Sequence, residues 1–317
     1  MKQKISTTGA NAGLFAAVFL FSFLSPSAAM ADPVTTSTDD EAATATTTAT
    51  APAASTPDKS QYSLFNPTPD SALRSFCTDR PTKSNLPCTV DAGHWQYEAD
   101  ALNWTYSDIG GTKQNTYLFT NPTVKLGLTN KSDLELNIAP VETVTTHNKA
   151  TGANTSQTGN GDLYTRVKYN LVGDDSGDVA VTLLPYVKIP TAEPGIGNKA
   201  FEEGVIVPVS FNLPMNFSLV LDPEFDNFKD ADGSGYHDNY QGLVNISHTV
   251  FSSNITAYAE LWSGINEDPS GTIRQSSADF AVTWLVRPTL QLDVGTNIGL
   301  NAETPNVQAY TGISQRF

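Results

Sequence analysis

The chain has 317 residues, 39% of them hydrophobic, with 33 acidic against 18 basic side chains and a formal net charge of −15. So acidic a protein is a poor partner for nucleic acid, and its excess charge suits solvated loops and turns. After residue 31 no uninterrupted apolar stretch reaches the ~20 residues of a membrane-spanning helix. That leaves a soluble exported protein or a β-barrel, whose alternating strands average to mild polarity.

The N-terminus reads as a cleaved secretory signal over residues 1–31. Lys2 and Lys4 form the basic stretch, Gly13 to Leu24 the apolar run, Ser25-Pro26 the break and Ala29-Met30-Ala31 the small-x-small cleavage pattern. Loss of the two lysines takes the mature chain from −15 to −17. Residues 32–58 are a Thr/Ala/Pro-rich run with almost no large apolar side chains, too little to offset the entropy of ordering, and are read as a flexible linker. Residues 59–92 are an irregular periplasmic lead-in, read as partly tucked into the barrel mouth. It holds Cys77 and Cys88, which an even count in an exported chain assigns to a disulfide. With no nearby His or second Cys pair they do not make a metal site.

From residue 93 to 317 the texture changes to segments of about ten alternating residues, a period of two that specifies sheet. Trp95, Tyr97, Ala99 and Ala101 alternate with Gln96, Glu98 and Asp100. Val124, Leu126 and Leu128 alternate with Lys125 and Gly127, and Leu134, Leu136 and Ile138 with Glu135 and Asn137. A fourth strand sets Leu163, Val167, Tyr169 and Leu171 against Asp162, Arg166 and Lys168, and a fifth sets Val179 to Ile189 against Thr182, Tyr186 and Lys188. Strands six to eight carry Val205 to Phe211, Phe217 to Leu221 and Val244 with Ile246. Strand nine opposes Ile255 to Leu261 to Glu260, ten opposes Phe280, Val282 and Trp284 to Asp279, and eleven opposes Leu290, Leu292 and Val294 to Asp293. The twelfth runs from Val307 to the C-terminal Phe317, with Arg316 on the other face.

A soluble sandwich alternates in the same way, so the connections decide. Thr129–Ser132, Gly173–Gly177, Pro214–Asn216, Val250–Asn254 and Val286–Pro288 are short, whereas His147–Gly159, Thr191–Glu203 and Asn227–His237 are longer and polar. Short and long connections in alternation are the mark of a transmembrane barrel with tight periplasmic turns and extended outer loops. Trp95, Tyr97, Trp104, Tyr106, Tyr117, Phe119, Phe217, Phe251, Trp262, Trp284 and Phe317 cluster at strand ends, as interface girdles do. The fold expected is all-β: an antiparallel up-and-down transmembrane barrel of about 12 strands, ten to fourteen being compatible with the pattern. Pro185, Pro208 and Pro223 run against it, because each removes an N–H from a ladder that has no free edge.

Several motifs resemble the outer-membrane protein family associated with the meta pathway of phenol degradation. They are Asp79-Arg80-Pro81, Gly93 to Glu98, Gly127-Leu128-Thr129 with Leu134-Glu135-Leu136, Gly159 to Asp162, Lys188-Ile189-Pro190-Thr191, Leu292 to Gly295 with Gly299-Leu300, and Gly312 to Phe317. The resemblance spans residues 79–317 and implies a barrel with a transport role, without fixing a substrate.

On this reading the polar face lines the lumen with Glu98, Asp100, Glu135, Asp162, Glu260 and Asp293, and with Lys125, Arg166, Lys168, Lys188 and Arg316. Rings of charge set solute selectivity in an open pore. The same residues could instead form a salt-bridged network that plugs a barrel of this bore. An enzyme reading finds only His248, Ser252, Ser253 and Asn254 close together, at a periplasmic turn where an outer-leaflet lipid hydrolase would not place them.

The leading expectation is a non-enzymatic, monomeric outer-membrane channel that passes small, aromatic or otherwise hydrophobic solutes by passive diffusion. A structural or adhesive barrel stands second, and a lipid hydrolase third. No cofactor or metal is expected, and no nucleic acid. The expected partners are outer-membrane lipid, the barrel-insertion machinery reading Phe317, and an unknown solute, in the outer membrane of a Gram-negative bacterium.

Overall fold

The computed structural model describes residues 58–175 and 177–317, so the secretory signal and nearly all of the linker lie outside the described residues. Among the described residues no helix is long and apolar enough to cross a membrane. Strands do the crossing.

β1 (Trp95–Ile109) is one long stave. β2 (Thr112–Phe119) with β3 (Thr123–Thr129), β4 (Ser132–Ile138) with β5 (Val141–Asn148), and β6 (Asn154–Gly159) with β7 (Leu163–Val172) make the next three. β8 (Val179–Ile189) is the fifth, followed by β9 (Glu202–Ile206) with β10 (Val209–Leu213) and by β11 (Phe217–Leu221) with β12 (Glu224–Lys229). β13 (Tyr236–Thr249), β14 (Ile255–Asn266), β15 (Ile273–Arg287), β16 (Leu290–Gly299) and β17 (Val307–Arg316) complete the set. Neighbours are antiparallel, and β17 pairs back onto β1 from Gln96↔Arg316 to Tyr106↔Val307, closing a barrel of 12 staves.

The wall is inside out relative to a soluble sandwich. Along β14 and β16, Leu261 and Val294 are 61% and 57% exposed, whereas their neighbours Glu260 and Asp293 are 3% and 5% exposed. A water-soluble sheet buries its apolar face, so an apolar exterior around a charged interior requires lipid outside. This decides between the two architectures that alternation alone leaves open.

Four of the five divided staves are divided at proline. Pro122 separates β2 from β3, Pro140 β4 from β5, Pro208 β9 from β10 and Pro223 β11 from β12. Each missing N–H thus falls in a gap of the ladder, while the carbonyls still work: Pro208 and Pro223 accept from Thr182 at 3.0 Å and Val207 at 2.9 Å. Pro185 stays inside β8, paired with Val205 of β9, and on its other side the β7 register passes from Arg166↔Tyr186 to Tyr169↔Leu183.

Two of the connections read as long loops are partly strand. β5 continues to Asn148 and β6 begins at Asn154, and β12 continues to Lys229 while β13 begins at Tyr236. These hairpins carry polar residues on both faces, so the apolar half of the period-two signal is missing there. Asp162, read as part of the fourth strand, lies in the break before β7.

Candidate functional site

The lead-in reaches into the lumen and occupies it. Its chain enters beside β3, where the Leu64 amide donates to the Leu128 carbonyl at 2.8 Å and the Gly93 amide to Gly127 at 2.9 Å. Residues 74–91 then meet inward-facing side chains from nearly every stave. The Cys77–Cys88 disulfide ties this loop at its base.

Arg80 is the central fastener. Its Nε and one Nη donate to the two carboxylate oxygens of Asp293 on β16 at 2.9 and 2.7 Å, and its other Nη donates to Asp100 on β1 at 2.6 Å. The fork geometry suits guanidinium and no other side chain. Beside it the Glu98 carboxylate accepts the backbone amides of Asp79 and Arg80 at 3.1 and 3.2 Å. Glu260 on β14 does the same for the amides of Lys83 and Ser84, both at 3.2 Å. An irregular segment has no ladder to satisfy its N–H groups, and wall carboxylates take that role here.

Asp79 faces the other half of the wall, between the Lys125 ammonium of β3 and the Lys168 ammonium of β7, the latter at 2.7 Å. Both lysines also meet Glu135 of β4, Lys168 at 3.2 Å. Lys83 donates to Ser277 at 2.6 Å and Asp279 at 2.7 Å on β15, and lies 4.8 Å from the Trp262 ring. Asn85 binds Asp222 through its amide at 2.7 Å, and the Val90 amide reaches Asp133 at 2.8 Å. At the end nearest Phe317, Arg74 pairs with Asp175 at 2.9 Å and Asp91 at 3.3 Å, while Arg316 donates to the Arg74 carbonyl at 2.8 Å. Buried ion pairs of this kind add little net stability but fix one arrangement, because removing a single partner strands a charge and costs about 3–5 kcal/mol.

Two wall glycines make room. A Cβ at Gly127 would stand 2.0 Å from the Asp91 carbonyl oxygen, and one at Gly312 2.2 Å from the Arg80 guanidinium. The barrel wall is thinned where the segment lies closest.

Of the eleven residues assigned to the lumen from sequence, seven contact the lead-in directly: Glu98, Asp100, Lys125, Lys168, Glu260, Asp293 and Arg316. Glu135 acts through the two lysines. Lys188 stands apart, with Asp162 at 3.3 Å and Glu202 at 2.7 Å, and Arg166 has no carboxylate within ion-pair reach among the described residues. Sequence reasoning missed Asp79, Arg80, Lys83, Asp133, Asp222 and Asp279 as members of the site. Asp79-Arg80-Pro81 carried the family resemblance, and that was the available signal.

A cavity of about 890 Å³ adjoins the lead-in at Trp262, the ring that Lys83 approaches, and is lined also by Gln241, Asn239, Phe228 and Lys229 among others. The His248 cluster is unlike an active site: its ring stacks on Phe217 at 4.2 Å and its Nδ1 lies 3.2 Å from the Asn216 carbonyl. The barrel closes at Phe317, stacked on Trp95 at 4.0 Å and 9° and exchanging backbone hydrogen bonds with it at 2.9 and 3.4 Å.

The chain is similar in fold to an outer membrane channel from Pseudomonas putida F1, with a TM-score of 0.55 and 15% identity, covering 76% of this chain and 100% of that one. It is also similar to the NanC porin, at a TM-score of 0.45 and 12% identity over 69% of this chain and 98% of that one. The monoaromatic hydrocarbon channel CymD gives a TM-score of 0.40 and 10% identity over 70% of this chain and 87% of that one. Comparison with curated proteins returned no match. Residues 78–317, the greater part of the lumen segment and the whole barrel, match one protein family, and the chain belongs to that family, described as "Putative MetA-pathway of phenol degradation".

Proposed function

We propose that the protein is an outer-membrane channel for small solutes, held shut at its periplasmic side by its own residues 59–92. The observation that carries this reading is the lead-in ion-paired across the lumen, with a cavity of about 890 Å³ adjoining it at Trp262, whose ring Lys83 approaches to 4.8 Å. Its lining mixes the rings of Trp262 and Phe228 with amide and charged groups, a surface that suits a small aromatic molecule bearing a polar substituent. Family membership and the likeness in fold to the Pseudomonas putida F1 outer membrane channel support a channel reading. Passage then requires the lead-in to shift, and the lumen residues that now bind it would line the path. Export by a cleaved signal and residence as a monomer in the outer membrane complete the proposal.

Conductance of the mature protein in planar bilayers tests it, alongside the double variant R80A/D293A. Rare, small openings in the parent and a several-fold higher open probability in the variant are expected. Equal, negligible current from both would remove the channel reading and leave the barrel standing. An adhesive role has one supporting observation, the exposed polar hairpin β5–β6, and deletion of its tip, residues 149–153, would then abolish partner binding without changing flux.

A further inference from the structure

Two outer hairpin tips meet at a histidine. His237, near the start of β13, is 9% exposed, and its Nδ1 lies 3.0 Å from Oδ1 of Asp230 and 3.5 Å from Oδ2 of Asp268. Both aspartates are 8% exposed. Among the described residues no lysine or arginine lies within 4.0 Å of either carboxylate, and the neighbouring Lys229 ammonium sits instead over the Tyr236 ring at 4.5 Å. An imidazole carries at most one positive charge, so it cannot by itself balance two ionised carboxylates. Its other nitrogen, Nε2, on the edge of the ring away from the carboxylates, is buried without a hydrogen-bond partner and is not part of this group. A buried, incompletely paired charge is costly, and a bound cation removes that cost.

Local chemistry agrees. The two donor separations bracket the edge of about 3.3 Å that a tetrahedral ion with bonds near 2.0–2.1 Å would impose. The turn that carries Asp230 is held by its own hydrogen bonds, the Ser234 amide donating to Asp232 at 2.7 Å and the Ser234 hydroxyl to Asp230 at 3.4 Å. The neighbouring hairpin brings up Asp268. Asp268 is held in place by the Ala231 amide at 2.8 Å and the Ser270 amide at 2.7 Å.

We propose that Asp230, His237 and Asp268 bind one first-row divalent cation, which pins the turn after β12 to the turn after β14 at the rim of the outer cavity. A nitrogen donor among carboxylates favours such an ion over calcium, which prefers oxygen alone. All three residues line that cavity, so the ion would also place positive charge at its mouth.

Isothermal titration of the untagged, chelator-stripped mature protein in detergent with zinc chloride tests the site, with calcium chloride as a second titrant. One equivalent of zinc bound, and affinity reduced at least tenfold in H237Q and in D268N, is the result expected. No saturable binding, or calcium binding that H237Q leaves unchanged, would overturn the proposal. X-ray absorption of the zinc-loaded parent gives a readout that does not depend on either variant folding: imidazole scattering supports the assignment, and an oxygen-only shell contradicts it.

Discussion

Arg80 and Asp293 form a two-pronged ion pair in the middle of the lumen, at 2.9 and 2.7 Å, joining the lead-in to the wall across 213 positions of sequence. The pair sits beside Asp100, so one guanidinium ties the lead-in to β1 and β16, which flank the closing strand β17. The segment is therefore anchored where the barrel closes.

Asp293→Asn should loosen this anchor while keeping the shape of the wall. Breaking a buried pair by neutralising one partner costs about 3–5 kcal/mol, although Asp100 retains part of the interaction and moves the value toward the lower end. Single-channel recording is expected to show more frequent opening. Unchanged opening together with a lowered melting temperature would assign the pair to stability alone.

Gly127→Ala and Gly312→Ala act from the wall. A methyl group at Gly127 meets the Asp91 carbonyl oxygen at 2.0 Å, and one at Gly312 meets the Arg80 guanidinium at 2.2 Å and the Ala99 carbonyl oxygen of β1 at 2.5 Å, so the first displaces the lead-in alone and the second also presses on the seam. Both variants should still insert and migrate as folded barrels on unheated gels, with increased conductance. A barrel that opens no more than the parent would show that the segment moves without opening a path.

Reduction of the Cys77–Cys88 bond, or C77S/C88S, should loosen the loop without unfolding the barrel. Closing a loop of this size is worth about 3 kcal/mol of chain entropy on the usual model. Limited proteolysis should then cut between residues 77 and 88 in the reduced protein and spare the oxidised one. Equal resistance in the two states would show that the ion pairs alone hold the segment.

Phe317→Asp is expected to impair assembly severely. Phe317 stacks on Trp95 at 4.0 Å across the seam between the last stave and the first, and an aspartate there loses the stack and puts a charge at the lipid-facing rim. Periplasmic accumulation of unfolded chain measures the effect, and W95A should reproduce part of it. Normal heat-modifiable migration of F317D would refute this role.

Much of the wall was legible in the chain. Alternation placed Val294 outside and Asp293 inside, and the twelve-strand count holds, because side-chain direction in a strand depends only on the local period of two. The interrupting prolines were legible as well, but not their outcome. Whether Pro208 or Pro223 breaks a stave or falls between two half-staves depends on register with neighbours, which is a tertiary matter. The polar hairpin β5–β6 escaped notice as strand for lack of an apolar face.

Phe317 and its outward row follow from sequence alone, and so does the charged face behind them. How the lead-in is fastened inside the lumen does not. Residues 74–91 have no periodicity, and each fastening bond joins residues far apart in the chain, as Arg80 to Asp293 and Lys83 to Asp279 do. The meeting of Asp230, His237 and Asp268 across two hairpins has the same origin. Local pattern determines which way a side chain points; only closure of the barrel determines what it then meets.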